Sequence, residues 1–170
     1  MSLPRFLSFG KSYSGKTIDR SKDTSSEVID ASQTSNATVK LGSGATIITA
    51  GDYDTTYAGS GTDTVYGARG SVNVVGAGSD TFVYGVGSKA QAAGMIGACT
   101  VGDTAYQGET IAISKSFLDA TSLAAAITAA NNESLDYVNA NGRLLTIDAQ
   151  GDSINFLSGV TLSASQFKLV

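Results

Sequence analysis

Residues 58–66 read AGSGTDTVY, and the nine residues before them, TAGDYDTTY (49–57), align with Asp63 under Asp54, Thr64 under Thr55 and Tyr66 under Tyr57. The next nine, GARGSVNVV (67–75), keep Gly67 and Gly70 and lose the aspartate. GAGSDTFVY (76–84) restores the Gly-x-Gly-x-Asp order with one residue fewer before the aspartate. Upstream, LGSGATIIT (41–49) has the same shape with Thr46 in the aspartate's place. Five consecutive units thus share a period near nine. Each pairs a glycine-rich turn, where φ can be positive, with a short strand. An apolar side chain such as Val65, Val74 or Phe82 is expected to point inward. Two half-turns give a coil of about eighteen residues, and stacked coils pair their strands in parallel.

The composition agrees. Twenty glycines, seven tyrosines, one proline and no tryptophan in 170 residues favour strands and tight turns over a helical bundle. The single Cys99, in the apolar run GMIGACTV (94–101), has no internal disulfide partner and reads as an inert buried thiol. Charge is unevenly spread. Residues 1–22 carry five basic side chains against Asp19, a net +4, which leaves six basic and fourteen acidic side chains, a net −8, for the rest. An acidic body argues against a nucleic-acid partner. No apolar run is long enough for a membrane-spanning helix. MSLPRFLSFGKSYSG interrupts with Pro, Arg and Lys the apolar core that a signal peptide needs.

AGSGTDTVY resembles the calcium-binding nonapeptide Gly-Gly-x-Gly-x-Asp-x-apolar-x of the RTX (repeats-in-toxin) family, departing from it only where Ala58 replaces the first Gly. The lead-in VIDASQTSNATVKLGSG (28–44) also looks like the segment that precedes such repeats. The resemblance implies a mainly β protein: a parallel β-roll, or β-solenoid, over residues 28–86. A basic N-terminal arm (1–27) would precede it, and a C-terminal α+β capping and secretion-signal region with one helix (87–170) would follow. It implies calcium as cofactor, held between turns two units apart by Asp63, Asp80 and the backbones of Gly59, Gly61, Gly76 and Gly78. A weaker site would use Asp52 and Asp54, where Arg69 stands in the partner turn and its guanidinium can replace the ion. Asp63 and Asp80 as plain turn caps, bonded to backbone N–H groups, are the alternative.

In the C-terminal half, ETIAIS (109–114) alternates like a strand. DATSLAAAITAANN (119–132) spaces Leu123, Ile127 and Ala130 on one helical face, with Asp119 or Thr121 as N-cap. Residues 141–162 read as two strands around the Gly-Asp pair at 151–152. The terminus GVTLSASQFKLV is similar to the ends of RTX substrates of the type I secretion apparatus, although Gln166 stands where aspartate is usual.

No catalytic constellation is present. Without histidine there is no Ser-His-Asp or Cys-His arrangement, and the chain is expected not to be an enzyme. The reading is a secreted, calcium-binding structural protein at the cell surface or in an extracellular matrix. Copies of the chain would join head to tail through residues 1–22. The alternatives are a folding, secretion or binding module of a larger toxin, adhesin or hydrolase, and an ice- or carbohydrate-binding solenoid.

Overall fold

A computed structural model describes residues 3–85, 99–102, 109–116, 118–132, 143–146, 153–157 and 161–170. The Gly-Asp pair at 151–152 and most of the run around Cys99 lie outside these residues, as does the Cys99 side chain.

The chain is mainly β, with two parallel sheets wound into a β-solenoid and, among the described residues, one α-helix. One sheet stacks β1 (Arg5–Ser8), β3 (Glu27–Asp30), β5 (Thr46–Thr49), β7 (Thr64–Tyr66), β9 (Thr81–Tyr84), β11 (Thr110–Ile113) and β14 (Phe167–Leu169) in that order. The facing sheet runs β2 (Thr17–Asp19), β4 (Thr38–Lys40), β6 (Thr55–Tyr57), β8 (Val72–Val74), β10 (Cys99–Gly102), β13 (Ser153–Leu157) and β12 (Arg143–Thr146). Only β12 runs antiparallel, against β13.

The register sets the coil length. Ile47 pairs with Thr64 and Thr64 with Thr81, while Thr38 pairs with Thr55 and Thr55 with Val72, seventeen residues apart in each case. The coil is therefore seventeen residues rather than eighteen, because half-coils alternate between nine residues and eight. That single residue reverses the face a side chain presents. Val74, expected inward, is half-buried on the outer face, and Asn73 takes the interior position.

The core is a pair of inward ladders. In the first sheet Ile29, Ile48, Val65, Phe82 and Ile111 lie in register and are buried. In the second, Ile18 and Val39 are followed by Thr56 and Asn73, all buried. Asn73 Nδ2 donates to the Tyr84 hydroxyl at 3.2 Å, while Thr56 Oγ1 has no hydrogen-bond partner.

The solenoid is longer than residues 28–86 at both ends. Residues expected as an arm supply β1 and β2, which pair with β3 and β4 and so make the first coil. The strands β10, β11, β13 and β14 carry both sheets on into the C-terminal half. They lack the Gly-x-Gly-x-Asp unit of the central coils, so the repeat fades from the sequence before it fades from the fold. The helix α1 (Ala120–Asn132) buries Leu123, Ile127 and Ala130, as its spacing predicts. Asp119 caps it, with Oδ1 accepting from Ser122 N at 2.7 Å. These side chains join Leu145 of β12 and Leu162 in one cluster. Asn131 clamps Leu162 by two bonds of 2.8 Å.

Candidate functional site

The turns between strands stack into two columns, one on each side of the roll. The first holds the residues expected at calcium. Asp63 and Asp80 are buried, and the strands β7 and β9 start at the half-buried Thr64 and Thr81 beside them. Asp63 Oδ2 accepts from Gly59 N in its own turn at 3.0 Å, and Oδ1 accepts from Thr46 N one coil back at 2.9 Å. Asp80 repeats this, with Gly76 N at 3.2 Å and Asp63 N at 2.9 Å. Each carboxylate thus ties its own turn to the preceding coil.

The glycines of this column are needed for contact, not for φ. Gly42, Gly59 and Gly76 stand over one another, as do Gly44, Gly61 and Gly78, and none has positive φ. A Cβ at Gly59 would overlap the carbonyl oxygen of Gly42, one at Gly76 that of Gly59, and one at Gly78 that of Gly61. Backbone lies directly on backbone, and a ladder of N–H···O bonds joins the turns, with Ala77 N donating to Gly59 O at 2.9 Å. The expectation that positive φ explains these glycines is corrected by this packing.

As a calcium cage, this column supplies two carboxylates in adjacent turns, whose four oxygens already accept backbone N–H groups. The Gly59 carbonyl is likewise taken. Among the described residues no three His, Cys, Asp or Glu side chains cluster for a metal. Burial pushes the Asp63 carboxyl above its ordinary pKa against the lowering effect of its hydrogen bonds, and the charge of Asp80 adds to the rise. The geometry is that of turn caps, with the two carboxylates near enough for the charge of Asp80 to raise the Asp63 carboxyl.

At the first coil, aspartate gives way to an ion-pair cluster. Glu27 pairs in register with Thr46 and is 2% exposed. It takes a two-pronged bond from Arg20, with Nη2 to Oε1 at 2.6 Å and Nε to Oε2 at 3.2 Å. Arg20 also reaches Asp23 at 2.6 Å. This cluster was not read from the sequence, although Arg20, Asp23 and Glu27 lie close together in it.

The second column turns by a different device. Asn36, Tyr53 and Gly70, seventeen residues apart, have φ of 53°, 60° and 65°, and Gly15 has 69°. Asp54 is buried and caps the turn, with Oδ2 accepting from Gly51 N at 2.8 Å and Oδ1 from Ala37 N at 2.8 Å. Thr34 Oγ1 also donates to Asp54 Oδ2. Asp52 instead faces outward to Arg69, whose Nη2 lies 3.0 Å from its Oδ2. The guanidinium thus lies against Asp52, a contact that the sequence suggested, and it also lies 5.5 Å over the centre of the Tyr53 ring.

Scanned against protein-family models, the chain matches none, and no curated protein and no solved structure matches it. Its class therefore rests on the coordinates: a β-solenoid with hydrogen-bonded turn columns. Among the described residues no helix is long and apolar enough to cross a membrane.

Proposed function

We propose that this chain is a non-enzymatic, secreted structural protein whose solenoids join end to end. The observation that carries the reading is the end of the roll at β1 and β2. Among the described strands these two end their sheets, so each has one backbone edge that no described strand pairs. Phe6 of β1 is 67% exposed and Leu3 is 92% exposed. At the other end, β14 terminates the same sheet as β1, in parallel with the rest of it. A copy that sets its β1 against β14 of its neighbour extends that sheet without reversing direction. A heterologous contact of this kind propagates unless its rotation closes a ring.

Deleting residues 1–22 would not test this cleanly, since it removes the first coil and bares the next. Phe6→Lys places a charge on the exposed edge strand and leaves the coil in place. Sedimentation at rising protein concentration should show concentration-dependent assembly of the wild type and monomers of the variant. Monomeric wild type at high concentration would overturn the reading.

Export through a type I apparatus, guided by the C-terminal residues, belongs to the same proposal and is supported by the resemblance of GVTLSASQFKLV. Removing Gln166–Val170 should block secretion. The deletion takes away β14 and its bonds to β11, so the retained protein must be shown to be folded.

Calcium at the first turn column is a second reading, favoured by the mutual repulsion of Asp63 and Asp80. The two carboxylates would hold the ion, which would neutralise them. A rise of the thermal midpoint in millimolar calcium over chelator, absent in Asp80→Asn, is the expected result.

A further inference from the structure

The second turn column opens into a groove of about 430 Å³, within the range of roughly 300–1,000 Å³ typical of small-ligand sites. Tyr53 forms part of its wall, and Lys11, Gln33, Asn36, Asp52 and Arg69 line the rest. Tyr53 is a costly residue at this position. Its φ of 60° is one that Gly70 and Asn36 adopt more cheaply at the equivalent points of neighbouring coils. Burial does not offset that cost, because Tyr53 is 50% exposed. Bulky residues held in left-handed backbone cluster where the conformation serves a site.

The surroundings fix how the ring is presented. It packs against Gly70, where a Cβ would run into it, and one face lies under the Arg69 guanidinium, 5.5 Å from the ring centre and anchored by Asp52 at 3.0 Å, which leaves the opposite face for a ligand. Arg69 and Asp52 balance each other's charge. Lys11 is left as the surplus charge of the groove, in a chain whose net charge is −4. The amides of Gln33 and Asn36, both exposed, supply donors and acceptors around the ring.

We propose that this groove binds an acidic sugar, a pyranose bearing a carboxylate. Tyr53 would stack on the C–H face of the ring, the amides would meet hydroxyls and Lys11 would meet the carboxylate. One aromatic wall with a rim of amides suits a saturated ring edged by hydroxyls. The open placement on the turn column suits a residue within a longer chain. This site is independent of end-to-end assembly.

The test is calorimetric titration of the full chain with trigalacturonate, maltotriose and inorganic phosphate. Saturable binding of trigalacturonate, about tenfold tighter than that of the neutral trimer, is expected. Tyr53→Gly should weaken it by about tenfold with little change in thermal midpoint, since relief of the left-handed backbone offsets the lost ring contact with Arg69. Lys11→Gln, on an exposed side chain, should abolish the preference for the acidic trimer. No saturable binding of trigalacturonate would overturn the proposal. So would equal affinity for maltotriose, full competition by phosphate at the same concentration, or unchanged binding by both variants.

Discussion

Along one side of the roll, Gly42, Gly59 and Gly76 stand over one another with φ outside the left-handed region, whereas along the other Asn36, Tyr53 and Gly70 do so with φ of 53° to 65°. Both columns close a seventeen-residue coil, and both use a buried aspartate to collect backbone N–H groups. They differ in what demands the small residue. On the first side the demand comes from the neighbouring coil, whose carbonyl occupies the space of a Cβ. On the second it comes from the residue's own backbone at the positions of Asn36, Tyr53 and Gly70, and only at Gly51 from a neighbouring carbonyl, that of Thr34. A left-handed backbone can be satisfied by asparagine, or by tyrosine at some cost, so that column varies in sequence. A carbonyl in van der Waals contact can be satisfied only by glycine, so the first column repeats.

The largest effect should follow from breaking the first column. Gly59→Ala forces two backbones apart and should cost about 3 kcal/mol or more in urea unfolding, as overpacking against rigid backbone does. Gly70→Asn meets only the Tyr53 ring, which can move, and keeps a residue tolerant of positive φ. It should cost about 1–2 kcal/mol. Equal costs for the two would mean that the columns are not held by different constraints.

Next in size is the aspartate ladder. Asp63→Ala leaves the N–H groups of Thr46 and Gly59 without their acceptor and should cost about 2–3 kcal/mol. A pH titration sharpens this. Burial, then the charge of Asp80, raises the Asp63 carboxyl above its ordinary value in the folded state. A raised folded pKa means that the native state holds the proton more tightly than the unfolded chain. The associated stability is complete below the unfolded pKa and is lost as pH rises through the folded one. Acidifying from neutrality into that window should therefore stabilise the wild type, and Asp63→Asn should remove this gain. Calcium, if bound there, should lose its stabilising effect on acidification, as the proton that Asp63 takes up competes with the ion.

The sequence made the first column readable because its constraint repeats as a letter pattern, Gly-x-Gly followed by Asp. The second was half readable. Asp52, Asp54 and Arg69 stood out as charges, and the contact of Arg69 with Asp52 followed from their turns being partners. The left-handed positions did not stand out, since Asn36, Tyr53 and Gly70 share a conformation and no chemistry. Only alignment at seventeen residues, rather than eighteen, brings them together. The same single residue hid the inward turn of Asn73. The coils at either end were hidden for another reason: β1, β2, β11 and β14 are held by pairing to their neighbours in the sheets and carry no Gly-x-Gly-x-Asp turn signature. The helix was fully legible because its face, Leu123, Ile127 and Ala130, is a local period.

The smallest expected effect lies in the outer ion pair of the second column. The Arg69 side chain is 41% exposed and that of Asp52 21%, so solvent and salt screen their attraction. Arg69→Ala also removes the contact with the Tyr53 ring, an interaction worth about 0.5–1 kcal/mol at an exposed site. Together these should amount to about 1 kcal/mol at low salt, and to less in 1 M sodium chloride, where the ion pair fades and the ring contact persists. Asp52→Ala should cost less than Arg69→Ala, since it spares the ring. A double-mutant cycle between the two, measured at both salt concentrations, isolates the pair. A coupling that is large and indifferent to salt would place Arg69 among the groups that hold the roll together, beside Asp54 and Asp63. A small, salt-sensitive coupling leaves the second column secured by its backbone and by Asp54, with the Asp52–Arg69 pair free to serve the groove that it lines.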